Sequence, residues 1–241
     1  MYPFHKKCWC FAFLYDIIRQ MKWEIKQFSE VSSTNTLARD MDVGTIVMAE
    51  SQTAGRGRYG RVWQSPVGNL YASFVFPSNN NLKKYLSFIT GLALAESLPE
   101  FDVRLKWPND VLLEGKKLAG ILLETTVDKI IVGIGVNLVS SPNKNMLYPT
   151  TNLGGKLSPI ALVKRLMIQY DAVLKVLDTK GFNKIKQRWL DLAQNVGETI
   201  SVHLPDQEIE GVFKGIDNQG ALILKTKNGV LTVMAGDVFL I

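Results

Sequence analysis

"DVLLEGKKLAGILLETTVDKIIVGIGVNL", residues 110–138, decides the fold. It reads as successive strands, with "EGKK" as a hairpin turn between the first two. Working outward, "VRLKW" (103–107), "NLYASFVF" (69–76) and "TIVMAES" (45–51) are further strands. "KWEIKQFSEV" (22–31) alternates apolar and polar residues, the strand period. Helical spacing of apolar residues marks 82–98, 158–178 and 182–193. A short helical pattern follows "SST" at 32–34, where Ser and Thr suit an N-cap. After Asn195 the texture changes to short strands at close spacing, separated by turns such as "DNQG" and "KNG". The expected class is α+β: a mixed, largely antiparallel sheet with helices on one face, then a small C-terminal β module, an open sheet or SH3-like β-barrel. The expected units are an extension, 1–20, a main domain, 21–194, and the β module, 195–241.

Composition narrows the function. Of 241 residues, 46% are apolar and 21% charged, which suits a globular protein with a sizeable core. The net charge of +6 is spread along the chain. It suits an anionic substrate and does not by itself argue for nucleic acid. Cys8 and Cys10 are the only cysteines, too few for a disulfide framework, so a reducing, cytoplasmic setting is expected. No apolar run reaches the roughly 18–20 residues of a membrane span. "HKKCWCFAFLY" near the start faintly resembles a signal peptide, but "DIIRQ" follows without a cleavage pattern. The bland reading is an extension upstream of Met21.

Four stretches carry chemistry. In "SQTAGRGRYGRVW" (51–63), Gly55, Gly57 and Gly60 permit positive φ and close approach of a ligand. Arg56, Arg58 and Arg61 offer planar forks for carboxylate or phosphate. No "GK[ST]" ends the run, and a strand pattern follows it, so neither a P-loop nor a dinucleotide fingerprint fits. Alone, it is equally a solvated basic loop. In "RLKWPND" (104–110), Lys106 is either a strand-end charge reaching water or a fixed cation aimed at an anion. Asn109 and Asp110 read equally as an Asx turn. Gly120 in "KLAGILLE" and the glycines of "GIGVN" (133–137) mark close approach, by ligand or by backbone. Asn137 carries both a donor and an acceptor and suits an adenine edge.

Taken in order, "SSTN", "QTAGRGRYGRVW", "KWPND", "KLAGIL" and "GIGVN" resemble the motif series of the biotin–protein ligases, over residues 22–241. The resemblance implies the fold of class II aminoacyl-tRNA synthetases and biotin ligases, of the type without a DNA-binding repressor domain. It implies two steps: biotin and ATP form biotinyl-5′-AMP, and a lysine of a biotin carboxyl carrier domain then displaces AMP. By motif position, Ser33, Thr34, Asn35, Gln52, Arg56, Gly57, Arg58, Lys106 and Gly120 are the expected biotin site. Arg58, Arg61, Trp63, Lys106 and Asn137 are expected on the ATP side, and Lys106 and Arg56 as the catalytic cations. Asp110 is a candidate Mg²⁺ ligand. Residues 53–61 are expected to stay mobile until ligand arrives.

That chemistry needs cations and backbone donors and no side-chain nucleophile, which agrees with a chain holding only His5 and His203. Tyr59 stands where the family often has a basic residue, so its side chain is expected to be dispensable. The resemblance extends to a homodimer paired through a sheet edge, and to no specific DNA or membrane binding. The nearest alternative keeps the fold and changes the acyl group: a lipoate–protein ligase or octanoyltransferase. A nucleic-acid-binding protein is the alternative of a different class; it leaves "KLAGIL" and "GIGVN" without a role.

Overall fold

A computed structural model of the chain describes residues 22–142, 148–204 and 206–240. The expected extension 1–20, with His5, Cys8 and Cys10, and Met21 lie outside these residues.

Strands β1 (Glu24–Val31), β2 (Thr45–Gln52), β3 (Leu70–Pro77), β4 (Val103–Lys106), β5 (Asp110–Leu113), β6 (Lys116–Thr125) and β7 (Lys129–Val136) form one sheet, ordered β1-β2-β3-β7-β6-β5-β4. The β1–β2 pair is parallel and the others are antiparallel, so the sheet is mixed as its pattern implies. The "EGKK" hairpin closes through Glu114 and Gly115, with φ of 53° and 72°. Positive φ at both turn residues matches the strand twist.

Period-2 alternation divides the apolar residues between two faces. Ile46, Met48, Phe74, Phe76, Ile130 and Val132 point into the large core. Helices α2 (Asn80–Glu96), α3 (Pro159–Lys180) and α4 (Phe182–Asp191) cover that face. Val47, Val75 and Ile131 point the other way, against Ala38 and Leu37. These last two belong to α1 (Thr34–Ala38), the β1–β2 crossover. One short helix thus lies on the face opposite the three long ones. It brings its N-terminus to the cleft side of the sheet.

A second sheet holds β8 (Thr199–His203), β9 (Glu208–Ile216), β10 (Leu222–Thr226), β11 (Gly229–Val233) and β12 (Asp237–Leu240), ordered β11-β10-β9-β8-β12. Of the two expected forms, open sheet and SH3-like barrel, the described strands form the open sheet. The sheet stays open, because residues 234–236 carry the chain away from β11 and β12 pairs with β8 at the far edge. The two sheets share one core: Ile200, Phe213, Leu222 and Leu224 join the cluster beneath the first sheet. The Trp107 indole donates to the Gly220 carbonyl at 3.0 Å.

Candidate active site

A cleft of about 610 Å³ opens on the α1 side of the first sheet. One end is neutral and rich in hydrogen-bonding groups. Ser33, Thr34 and Asn35 are buried there at the start of α1. The Thr34 amide and hydroxyl donate to Gln52 Oε1 at 2.8 and 3.2 Å. Gln52 Nε2 donates to Ser65 Oγ at 2.9 Å, which fixes the orientation of the amide. Ser73 Oγ lies 2.8 Å from Thr34 Oγ1 and 2.6 Å from Asn35 Oδ1. Among the described residues, Asn35 Nδ2 is buried without a protein partner and is a donor suited to a ligand oxygen.

Glycines form the floor, and close packing explains them. A Cβ on Gly133 would lie 2.3 Å from Asn35 Oδ1, and one on Gly135 2.4 Å from the Trp63 ring. Gly120 faces the same indole, where a Cβ would sit 3.0 Å from Cζ3. Trp63 therefore lies flat over β6 and β7.

The Gly/Arg run is a folded hairpin across the cleft. Gly57 N donates to the Arg61 carbonyl at 2.7 Å and Trp63 N to the Gly55 carbonyl at 2.9 Å. Positive φ falls at Tyr59 (55°) and Gly60 (72°), and not at Gly57 (−108°). Gly55 answers a different need: a Cβ there would meet the Trp63 carbonyl at 2.5 Å. Each arginine has protein partners. Arg56 donates to Thr36 Oγ1 at 3.0 Å and to Glu124 at 3.2 Å. Arg58 reaches Asn109 Oδ1 at 3.3 Å and the Gly236 carbonyl at 3.2 Å. Arg61 pairs with Asp237 of β12. Tyr59 has a part in this: its hydroxyl accepts from Arg58 at 2.8 Å, and the Arg58 and Arg61 guanidinium carbons lie 4.8 and 5.4 Å from its ring centroid.

Lys117 completes the cationic end, and Lys106 lies behind the Tyr148 wall. Lys117 was not singled out from the sequence. It lines the cleft, pairs with Asp110 at 2.7 Å and lies 5.5 Å from the Trp63 ring. Strict alternation would turn Lys117 and Gly120 to opposite faces. A bulge in the β5–β6 pairing, between Val111 and Leu112, brings them to the same one. Lys106 ends β4 beside the cleft wall, with its ammonium 3.4 Å from the Tyr148 ring centroid; Tyr148 itself lines the cleft. Burial draws the Lys106 ammonium down to about 8, against the opposing pull of Asp110 and Asp237, with Lys117 adding to the fall.

The main cleft thus gathers Ser33, Thr34, Asn35, Gln52, Arg56, Gly57, Arg58, Arg61, Trp63, Asp110 and Gly120. Lys106, expected at its centre, is not among its lining, and neither is Asn137. Asn137 is buried, donates through Nδ2 to the Thr151 carbonyl at 3.1 Å, and borders a small recess on another side of Trp63. Asp110 is held by Lys117, and no group of three or more His, Cys, Asp or Glu suited to a metal occurs among the described residues. Asp237 and Tyr148 are cleft residues that no motif announced.

Comparison with known proteins gives the same direction. Residues 26–138 match the biotin/lipoate A/B protein ligase family, and 196–241 the biotin protein ligase C-terminal domain. A biotin–[acetyl-CoA-carboxylase] ligase of Paracoccus denitrificans is 37% identical, over 88% of this chain and 98% of that protein. The bifunctional ligase/repressor of Escherichia coli is 34% identical, over 87% of this chain and 72% of that protein. Among solved structures, the Aquifex aeolicus biotin protein ligase in complex with biotin and ATP has a TM-score of 0.79 at 30% identity. It covers 90% of this chain and 97% of the other.

Proposed function

This chain belongs to the biotin protein ligase family, and from that premise we propose how its cleft divides the work. The protein is an ATP-dependent, AMP-forming biotin–protein ligase. A carboxylate oxygen of biotin attacks the α-phosphorus of ATP, and pyrophosphate leaves. The ε-amine of a carrier-protein lysine then attacks the acyl carbon of biotinyl-5′-AMP, and AMP leaves.

The observation that carries the division is one cleft with a neutral end and a cationic end. The Ser33, Thr34, Asn35 and Gln52 end suits the ureido ring, which has both donors and acceptors. A lipoyl or octanoyl chain would offer no oxygen to the buried Asn35 Nδ2, which a ureido carbonyl can satisfy. The arginine hairpin, Lys106 and Lys117 suit the carboxylate and the phosphates, which repel each other until cations intervene. Trp63 offers a flat surface between the two ends. Mg²⁺ in this reading enters with ATP. Asp110 is paired with Lys117 and Asp237 with Arg61, so each would exchange that cation for the metal. The expected units 21–194 and 195–241 are kept in the proposal as one working assembly. β1, an edge of the first sheet, is the strand available to a second copy.

The test is transfer. Incubated with ATP, Mg²⁺, labelled biotin and an apo carrier domain, the protein is expected to label the carrier lysine. Transfer of lipoate or octanoate with no transfer of biotin would overturn the assignment.

A second expectation concerns pH. The Lys106 cation is present below about 8 and is lost as pH rises through that value. Pyrophosphate release at saturating substrates should therefore decline above pH ~8, approaching about tenfold per unit. The first step must be measured alone, because the attacking carrier lysine responds to pH in the opposite sense. A flat profile to about pH 10, the range of an ordinary lysine, would remove Lys106 from the rate-determining charge.

A further inference from the structure

The cations of the cleft are not equivalent. Arg56, Arg58, Arg61 and Lys117 each have an oxygen partner within the protein. For Lys106 no carboxylate within salt-bridge distance and no side-chain hydrogen bond is found among the described residues. Its close neighbours are two aromatic rings, Tyr148 at 3.4 Å and Phe239 at 5.7 Å from the ammonium nitrogen. The rings pack on each other with centroids 5.0 Å apart. Phe239 belongs to β12 of the second sheet, and the His203 ring of β8 stacks on it at 4.2 Å. The lysine comes from the first sheet, so the arrangement spans both.

An aromatic face attracts a cation through its quadrupole but accepts no strong hydrogen bond. A carboxylate in the same place would fix the lysine equally well, but it would occupy the ammonium's N–H groups and cancel its charge. Lys117 shows that alternative, paired to Asp110.

We propose that Tyr148 and Phe239 are positioning residues for the adenylation step: their ring faces hold the Lys106 ammonium beside the cleft while leaving its N–H donors available to substrate oxygens. The second sheet thereby contributes, through Phe239, to a reaction whose named motifs all lie in the first. The charges facing Lys106 from neighbouring elements are Asp110 of β5, Lys117 of β6 and Asp237 of β12, none of them altered by this arrangement.

The proposal rests on the reading of Lys106 as the electrostatic catalyst, and a ring series separates the two. Biotin-dependent ATP–pyrophosphate exchange would be measured on the full chain carrying Tyr148→Phe, Tyr148→Leu, Phe239→Tyr, Phe239→Leu or Lys106→Ala. Leucine keeps apolar bulk and removes the quadrupole. The leucine variants should lower kcat about tenfold with KM for biotin unchanged, whereas the aromatic variants stay within about twofold. Neither leucine change should add a loss in the Lys106→Ala background, because the pair is then already broken. If Lys106→Ala is crippled while the leucine variants match the parent, the ring proposal fails and the catalytic role of Lys106 stands. It also fails if Tyr148→Phe is as slow as Tyr148→Leu, or if the losses add in the Lys106→Ala background. If Lys106→Ala itself is unimpaired, the catalytic assignment and the ring proposal fall together.

Discussion

Replacing Lys106 by alanine is expected to slow biotinyl-adenylate formation by about 10²–10³-fold, the range seen when one fixed donor to a developing charge is lost. The reaction brings a carboxylate against a triphosphate, and charge repulsion is the main barrier to their approach. The other cleft cations enter with oxygen partners, so each must exchange one oxygen for another. Lys106 carries no such partner among the described residues, and its ammonium is partly desolvated, which strengthens its field on a nearby anion. The loss should fall on kcat for pyrophosphate release. The fold should persist, because the Lys106 side chain is only half-buried at a strand end. Circular dichroism and biotin binding check the fold. Near-parental pyrophosphate release in a folded variant would show that another cation carries the step.

Gly135→Ala should cause the second large loss, by a different route. The new methyl would lie 2.4 Å from Cε2 and 2.6 Å from Nε1 of Trp63, far inside contact distance. An indole is rigid, so it must leave the floor or the β7 backbone must move. Overpacking of this kind costs about 1–3 kcal/mol. At this chain length that lowers the melting temperature by roughly 2–4 °C per kcal/mol. A functional loss should accompany the stability loss. Trp63 covers both Gly120 and Gly135 in the middle of the cleft, so displacing it disturbs both substrates. KM for biotin and for ATP should each rise about tenfold or more, the effect of losing roughly 1.4 kcal/mol from each complex. Gly91→Ala in α2 is the comparison, since a Cβ there would make only ordinary contacts, 3.5 Å or more from Leu105, Trp189 and Ile121. Equal KM values for Gly135→Ala and the parent would refute the indole-floor account.

Much of this was legible from local pattern, because local physics decides it. The apolar runs in 45–51 and 129–138 gave buried strands, whose two faces bury against different helices. The "EGKK" turn follows from two residues able to adopt positive φ. What escaped was what distant segments decide. Lys117 faces the cleft only because a bulge shifts the register of β6. Asp237 and Phe239 arrive from strand β12, whose pairing with β8 no motif encodes. Glycine spacing suggested positive φ at Gly55, Gly57 and Gly60; Gly60 takes it, with Tyr59 beside it, while Gly55 yields to the Trp63 carbonyl. Tyr59, expected to be dispensable, lies between two guanidinium groups. Open sheet and barrel stayed undecided for a similar reason, since short strands alone do not say which edges meet.

The arginine hairpin has a consequence for how the cleft discriminates among anions. Arg56, Arg58 and Arg61 already hold Glu124, Gly236 and Asp237, so taking a ligand is an exchange of partners rather than a capture by free charge. A small anion that satisfies one guanidinium leaves the other attachments intact and gains little. Only a ligand long enough to compensate all three releases the hairpin from both Glu124 on one side and β12 on the other. Added salt weakens internal and ligand pairs alike. The cleft's affinity for anions therefore varies less with ionic strength than three arginines would suggest, and crowding by inorganic phosphate leaves it largely undisturbed.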